Sequence, residues 1–168
     1  MAVGLSVPFV SATTIHAGAG LFAWGLSMAL AGVVATGVNP RSLRVARWLS
    51  ALIPTLLGVT WVFGTLAYIG EYQDVAPLLA AGPQPQASVG VLAGFVKKRI
   101  FFAVFVISIL VAVLFNRLTV ADFSGDTPGA DDLRVGLTLA SLVVSGGILL
   151  IESLGVILGL ALRSALLP

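Results

Sequence analysis

Four long apolar runs dominate the chain, and short polar stretches separate them. Each run is long enough for a membrane-spanning helix, which needs about 20 apolar residues. The pattern predicts an all-α, integral membrane four-helix bundle that forms a single transmembrane domain. The predicted spans are 8–37, 48–70, 89–115 and 133–162. Asn39-Pro40 ends the first run, so the first connection is expected to hold Arg41, Arg44 and Arg47.

The composition supports this class of protein. Hydrophobic residues make up 58% of the 168 residues and charged residues only 10%, whereas a soluble domain has about a quarter of its residues charged. We therefore expect a multi-pass protein of a cell membrane, of the prokaryotic inner-membrane kind. The net charge of +2, with no basic patch interleaved with aromatics, speaks against nucleic acid as a partner. Because cysteine is absent, disulfides and thiolate metal sites are excluded.

Glu152 is the most informative single residue, because it lies within the fourth apolar run. An ionisable group at membrane depth is expensive, so it usually faces a partner, a cavity or a path. The alternative to a functional role is a structural hydrogen bond or ion pair that fixes the helix register. Helix direction alternates along the chain, so His16, Lys97 and Glu152 are expected to share one half of the membrane.

Helical stepping by three and four residues indicates which faces point into the bundle. Small and weakly polar residues let transmembrane helices approach closely, while the lipid face is larger and more apolar. The stripe from His16 holds Gly20, Ala23, Ser27 and Ala31. The stripe with Glu152 holds Ser141, Ser145, Gly155 and Gly159. The comparable stripe of the second helix is Ser50, Pro54, Leu57, Trp61, Thr65, Tyr68 and Glu71.

Each of the other candidate residues has a structural alternative. His16 is the only histidine, so one chain cannot build a two-histidine haem site. It is either a hydrogen-bonded core residue or a ligand or proton-handling group. Lys97, Lys98 and Arg99 are either interfacial cations whose stems cover apolar surface or residues of the third span. The second holds if that helix starts near Ser88.

Three groups of residues together resemble a known family. They are Ile15-His16 with Trp24-Gly25, then Arg47-Trp48 with Pro54 and Gly64, and then Lys97 or Lys98 near the start of the third helix. This set resembles the first three helices of four-helix membrane proteins related to the copper-resistance CopD domain and to the HemJ-type protoporphyrinogen oxidase. The resemblance implies that His16 is associated with haem and that Lys97 or Lys98 is associated with activity.

Three functions are consistent with the sequence. The first is a haem- or metal-associated redox protein of the CopD/HemJ kind, with haem b bound at His16 and with Lys97, Lys98 and Glu152 as catalytic residues. The second is a non-catalytic subunit of a larger membrane complex. The third is a small proton- or cation-coupled transporter that uses Glu152. Besides the lipid bilayer, we expect other membrane subunits or further copies of this chain as partners.

The family resemblance makes a direct spectroscopic prediction. Protein purified in detergent from haem-sufficient cells would show a Soret band, and the variant His16→Ala would lose that band because its axial nitrogen is gone. Absorption spectra of the oxidised and reduced protein check this. A colourless parent protein would contradict the haem assignment.

Overall fold

The described part of the chain is almost entirely helical. The computed structural model describes the backbone of residues 7–67, 69, 77 and 86–166, and the side chains of 12–67, 69, 77 and 88–161. Four long helices follow one another: α1 (Val7–Ala35), α2 (Pro40–Ala67), α3 (Gln86–Arg117) and α4 (Ala130–Leu166). A short 3-10 helix, Val120–Phe123, lies between α3 and α4.

All four helices are long and apolar enough to cross a membrane, so the predicted all-α four-helix membrane bundle is confirmed. The second helix begins eight residues before the predicted span, at Pro40. Arg41, Arg44 and Arg47 therefore lie in the first turns of α2, and their placement in a connecting loop was wrong. The prediction began the helix only after these three arginines, but a helix can extend beyond the apolar run that crosses the membrane.

The sharp connection between α1 and α2 follows from local chemistry. Gly37 adopts a φ of +110° just after α1, a left-handed conformation that glycine adopts without penalty. Asn39 then caps α2, because its Oδ1 accepts hydrogen bonds from the backbone N–H groups of Arg41 and Ser42, both at 2.9 Å. Pro40 occupies the first helical position, where no N–H is needed.

The connection between α3 and α4 is held by side chains outside the spans. Thr119 donates from its backbone N–H and its hydroxyl to Oδ2 of Asp122, at 2.6 and 2.8 Å. These two hydrogen bonds lower the pKa of Asp122, since they favour its charged form. Asp131 pairs with Arg134 at 2.8 Å in the first turn of α4.

The helices form a ring in which α1 packs against α2 and α4, and α3 packs against α4 and α2. The seam between α2 and α3 has the fewest contacts of the four. Large buried side chains fill the centre, among them Leu30, Val34, Leu57, Phe115 and Ile148. The outward faces carry exposed apolar side chains such as Phe22, Trp48 and Phe102, as expected of surfaces that contact lipid.

Arg47 joins α2 to the end of α3. Its Nε donates to the carbonyl of Phe115 at 3.0 Å, and its Nη2 donates to the carbonyl of Leu118 at 2.7 Å. The last carbonyls of a helix have no partner within the helix, and they form the negative end of the helix dipole. The guanidinium therefore satisfies the α3 terminus and ties the two helices together where their seam is loosest.

We expect Arg47→Gln to lower the free energy of unfolding by about 1–3 kcal/mol, because hydrogen bonds to a charged group are lost. Unfolding in detergent micelles, followed by circular dichroism, measures this change. Arg44→Gln is the matched control, since Arg44 is exposed on the same helix. Equal losses in the two variants would show that the bonds from Arg47 contribute nothing specific.

Candidate functional site

The three consecutive cations of α3 point in different directions. Lys97 is half-buried and turns into the bundle, whereas Lys98 and Arg99 are exposed. The Arg99 guanidinium lies 4.3 Å from the ring centre of Phe95. Lys97 lies about 16 Å along α3 from Gln86, at 1.5 Å per residue. It therefore lies within the span Ser88–Arg117.

His16 is held by the backbone of α2. Its Nδ1 lies 2.7 Å from the carbonyl oxygen of Thr60. A carbonyl only accepts hydrogen bonds, so Nδ1 must carry the proton that is donated. In the neutral ring this assigns the proton to Nδ1 and leaves the lone pair on Nε2.

Lys97 contacts that remaining nitrogen of His16. Its Nζ lies 3.3 Å from Nε2, and an ammonium group can only donate. Lys97 is therefore the donor and Nε2 the acceptor. The contact joins α1 to α3, two helices that lie across the ring from one another.

Glu152 of α4 completes the group, which we call the relay cluster: His16, Lys97 and Glu152. Its helix lies against Lys97 at Gly155, one turn from Glu152, but the carboxylate and the ammonium do not approach within the 4.0 Å of a direct ion pair. Glu152 is half-buried, and its buried Oε1 has no hydrogen-bond partner among the described residues. One oxygen of an acid inside a membrane span is thus left unsatisfied.

A glycine on a neighbouring helix makes room for each member of the relay cluster. A Cβ on Gly64 would lie 2.8 Å from Nδ1 of His16, and one on Gly155 would lie 2.8 Å from Nζ of Lys97. A Cβ on Gly20 would overlap the carboxyl group of Glu152. Close approach to these side chains therefore requires glycine at Gly20, Gly64 and Gly155.

A second polar level lies deeper in the bundle. Ser27, Ser50, Ser108 and Ser141, one from each helix and each at most 2% exposed, form what we call the serine layer. On three helices the serine stands eleven residues from a relay residue (16 to 27, 97 to 108 and 141 to 152). Eleven residues make about three helical turns, so both levels share one face and lie about 16 Å apart.

The serine layer surrounds a cavity of about 10 Å³, with Leu30, Ile53, Val111 and Val144 completing the lining. Each hydroxyl donates to a carbonyl of its own helix, at 2.7 to 3.0 Å. Such bonds within a helix satisfy the hydroxyls without any partner across the bundle.

A metal ion or a haem iron would need side chains that can ligate it. No group of three or more metal-ligating side chains occurs in the described residues. The bond from Nδ1 to Thr60 is the kind that orients a ligating histidine. However, Lys97 occupies the Nε2 lone pair that iron would need, and its ammonium would stand beside the metal cation. As arranged, these residues do not fit an iron.

The structure brings together three of the four predicted site residues, His16, Lys97 and Glu152, while Lys98 faces away from them. Their functional roles stay predictions. The inward stripe of α1 was predicted well, since Gly20, Ala23, Ser27 and Ala31 are all buried. Gly159 was wrongly placed inside, because it is exposed near the end of α4.

The stripe predicted for α2 was wrong in its second half. Trp61 is 57% exposed, and the Thr65 hydroxyl bonds to the carbonyl of Trp61. Tyr68 and Glu71 lie outside the described residues. The prediction did not recognise that Thr60 and Gly64, which lie against His16, share the inward face of α2. Steps of three and four from Ser50 through Ile53 and Leu57 reach both of them, but Pro54 and Trp61 drew the prediction to the neighbouring face.

In the comparisons with known proteins, no family model, no curated protein and no solved structure matches this chain.

We expect Gly64→Ala to lower the free energy of unfolding by about 1–3 kcal/mol, since the methyl group would push the His16 ring off the Thr60 carbonyl. Equilibrium unfolding in detergent measures this. Gly58→Ala on the same helix is the matched control, because nothing lies within 4 Å of its added Cβ. That control should be neutral or more stable by about 0.5–1 kcal/mol. A neutral Gly64→Ala would contradict the close packing of His16.

Proposed function

We propose that this protein binds and moves protons within the membrane, as a small proton-coupled transporter whose relay cluster carries the proton. The observation that supports this most is the 3.3 Å contact from Lys97 Nζ to His16 Nε2, beside an oxygen of Glu152 that has no hydrogen-bond partner in the described part of the chain. Three ionisable groups of different type thus meet inside the spans, where chains of such groups mark proton pathways.

The proton steps balance within the relay cluster. A proton passed from the Lys97 ammonium to Nε2 of His16 gives an imidazolium and a neutral amine. The amine can then take a proton from the carboxylic acid form of Glu152, which becomes a carboxylate. The net result is one proton moved from Glu152 to His16, with Lys97 returned to its starting state. Since Glu152 and Lys97 are not in direct contact, this second step needs a small side-chain rotation or a bridging water.

A purely structural role explains the relay cluster less well. A buried ion pair that only fixes helix register needs its remaining lone pairs satisfied, because burial of a charge is costly. Within the described residues, one Glu152 oxygen has no hydrogen-bond partner, and the carboxylate makes no direct ion pair with Lys97. Three neighbouring glycines at the same time let the three side chains pack directly against the backbone of another helix. This combination suits groups that exchange protons more than groups that act as a fixed clamp.

The setting proposed for this activity is a membrane with a proton gradient, such as the prokaryotic inner membrane. A chain of 168 residues offers few helices for a complete path. We therefore include further copies of the chain or other membrane subunits in the proposal, and small transporters commonly place their site near the midplane between helical units.

A haem- or metal-associated role is the second candidate function. The residues as arranged do not fit an iron, but a specific observation favours this role. His16 donates from Nδ1 to a backbone carbonyl, which is how many metal-bound histidines are oriented. This role requires Lys97 to leave Nε2. The absorption spectra of the parent and of His16→Ala separate it from the proton-handling function.

Proton flux in proteoliposomes tests the first proposal. With an imposed potential and a pH-sensitive dye inside, we expect the parent protein to carry protons. Glu152→Gln and Lys97→Met should each lower the rate by on the order of tenfold or more, because each removes a transfer group.

Lys98→Met is the matched control, since it removes the same charge from the adjacent, exposed position and should keep the parent rate. Equal rates in all variants and in the parent would contradict the proposal and favour a structural subunit. Retained helicity by circular dichroism shows that a slow variant is folded.

A further inference from the structure

Three buried polar atoms lack a hydrogen-bond partner among the described side chains: Thr60 Oγ1, Ser145 Oγ and Glu152 Oε1. Thr60 and Ser145 are each only 1% exposed. Buried hydroxyl and carboxyl groups in proteins are nearly always bonded to protein or to ordered water. Inside a membrane the lipid offers no such partner, so the missing partner must come from within the bundle.

All three atoms lie on the same side of the serine layer, toward the end where α1 begins. Ser145 follows Ser141 by one turn in the direction of Glu152. Thr60 lies about 15 Å along α2 from Ser50, at the level of His16, whose ring bonds to its carbonyl. The three unsatisfied atoms therefore lie between the level of the relay cluster and the serine layer.

In the opposite half of the bundle, no buried polar atom of a described side chain lacks a hydrogen-bond partner. The hydroxyls of the serine layer are satisfied by their own helices, and they turn no polar surface into the cavity between them. That cavity of about 10 Å³ is at the lower limit for one water molecule, which also needs two to four polar partners. Below it, Val34 and Phe115 are each 0% exposed. An apolar layer of this kind stays dry.

We infer that the relay cluster half of the bundle holds water, connected to the side of the membrane where α1 begins, and that the serine layer and the apolar residues below it form a dry seal. The bound ligand is thus water, and hydronium when a proton enters. This inference deepens the proposed function, and its role in proton supply rests on that function. Two of its three atoms, Thr60 Oγ1 and Ser145 Oγ, have no part in the proposed function. In this conformation, protons would reach the relay cluster only from the side of the membrane where α1 begins.

The absence of cysteine makes a clean accessibility test available. Single variants Thr60→Cys and Ser145→Cys sample the half that we infer to be wet, and Ser27→Cys and Ser108→Cys sample the serine layer. Asp126→Cys, in the exposed connection between α3 and α4, marks the opposite side of the membrane. The probe is a charged, membrane-impermeant methanethiosulfonate, applied to sealed vesicles of either orientation. Because the thiolate is the reactive form, reaction reports water at the thiol.

We expect Thr60→Cys and Ser145→Cys to react from the side opposite to Asp126→Cys. Ser27→Cys and Ser108→Cys should react from neither side until the protein is denatured, which also confirms that each thiol is present. Reaction of the serine-layer thiols at the rate of Thr60→Cys would overturn the seal. No reaction at Thr60→Cys and Ser145→Cys, or reaction from the Asp126 side, would overturn the water-filled half.

Hydroxyl-radical labelling of the parent protein keeps the inference testable if a cysteine variant does not fold. Radicals formed from bound water should modify His16 and leave Phe115 unmodified, and modification of Phe115 with protection of His16 would overturn the inference. The outcome is separable from that of the flux assay. One-sided labelling without proton flux would reject the transport function alone, whereas flux with labelling of all four positions from both sides would reject the seal alone.

Discussion

The structure depends on one constraint: polar groups inside a lipid-facing bundle must find their partners within it. Backbone groups do so through the four long helices. The hydroxyls of the serine layer donate hydrogen bonds to carbonyls of their own helices. The carbonyls at the end of α3 accept hydrogen bonds from the Arg47 guanidinium. Against this background, the incomplete satisfaction of Glu152 marks the one level of the described bundle where ionisable side chains from three helices meet.

Glycine is what makes that level compact. The side chains of His16, Lys97 and Glu152 each lie over a glycine of another helix, so three helices present ionisable groups and three present a bare backbone to them. The abundance of glycine in the chain, 19 residues, is therefore partly explained by the need to bring charged and neutral groups close together. General close packing of membrane helices explains the other glycines only in part, since a Cβ added at several of them would meet nothing within 4 Å.

The two polar levels give the bundle an asymmetry along its axis. The relay cluster and its unsatisfied atoms lie in the half where α1 and α3 begin, while the other half is apolar down to the Arg47 contact. The asymmetry is consistent with a site that is supplied from one side and closed toward the other. A spacing of eleven residues recurs on three helices because eleven residues make about three turns, which return a side chain to the same inner face.

The sequence by itself determined the class of fold, because long apolar runs admit only spanning helices, and it singled out Glu152 through the cost of an acid in lipid. His16 and the pair Lys97 and Lys98 became candidates through the family resemblance. The alternating helix directions also placed them in one half of the membrane. Only the tertiary structure decided that Lys97 rather than Lys98 turns inward, that Thr60 and not Trp61 faces His16, and that Arg47 belongs to α2. The physical reason is that helix rotation and the exact helix ends depend on how neighbouring helices pack, and residue spacing along one helix does not specify that packing.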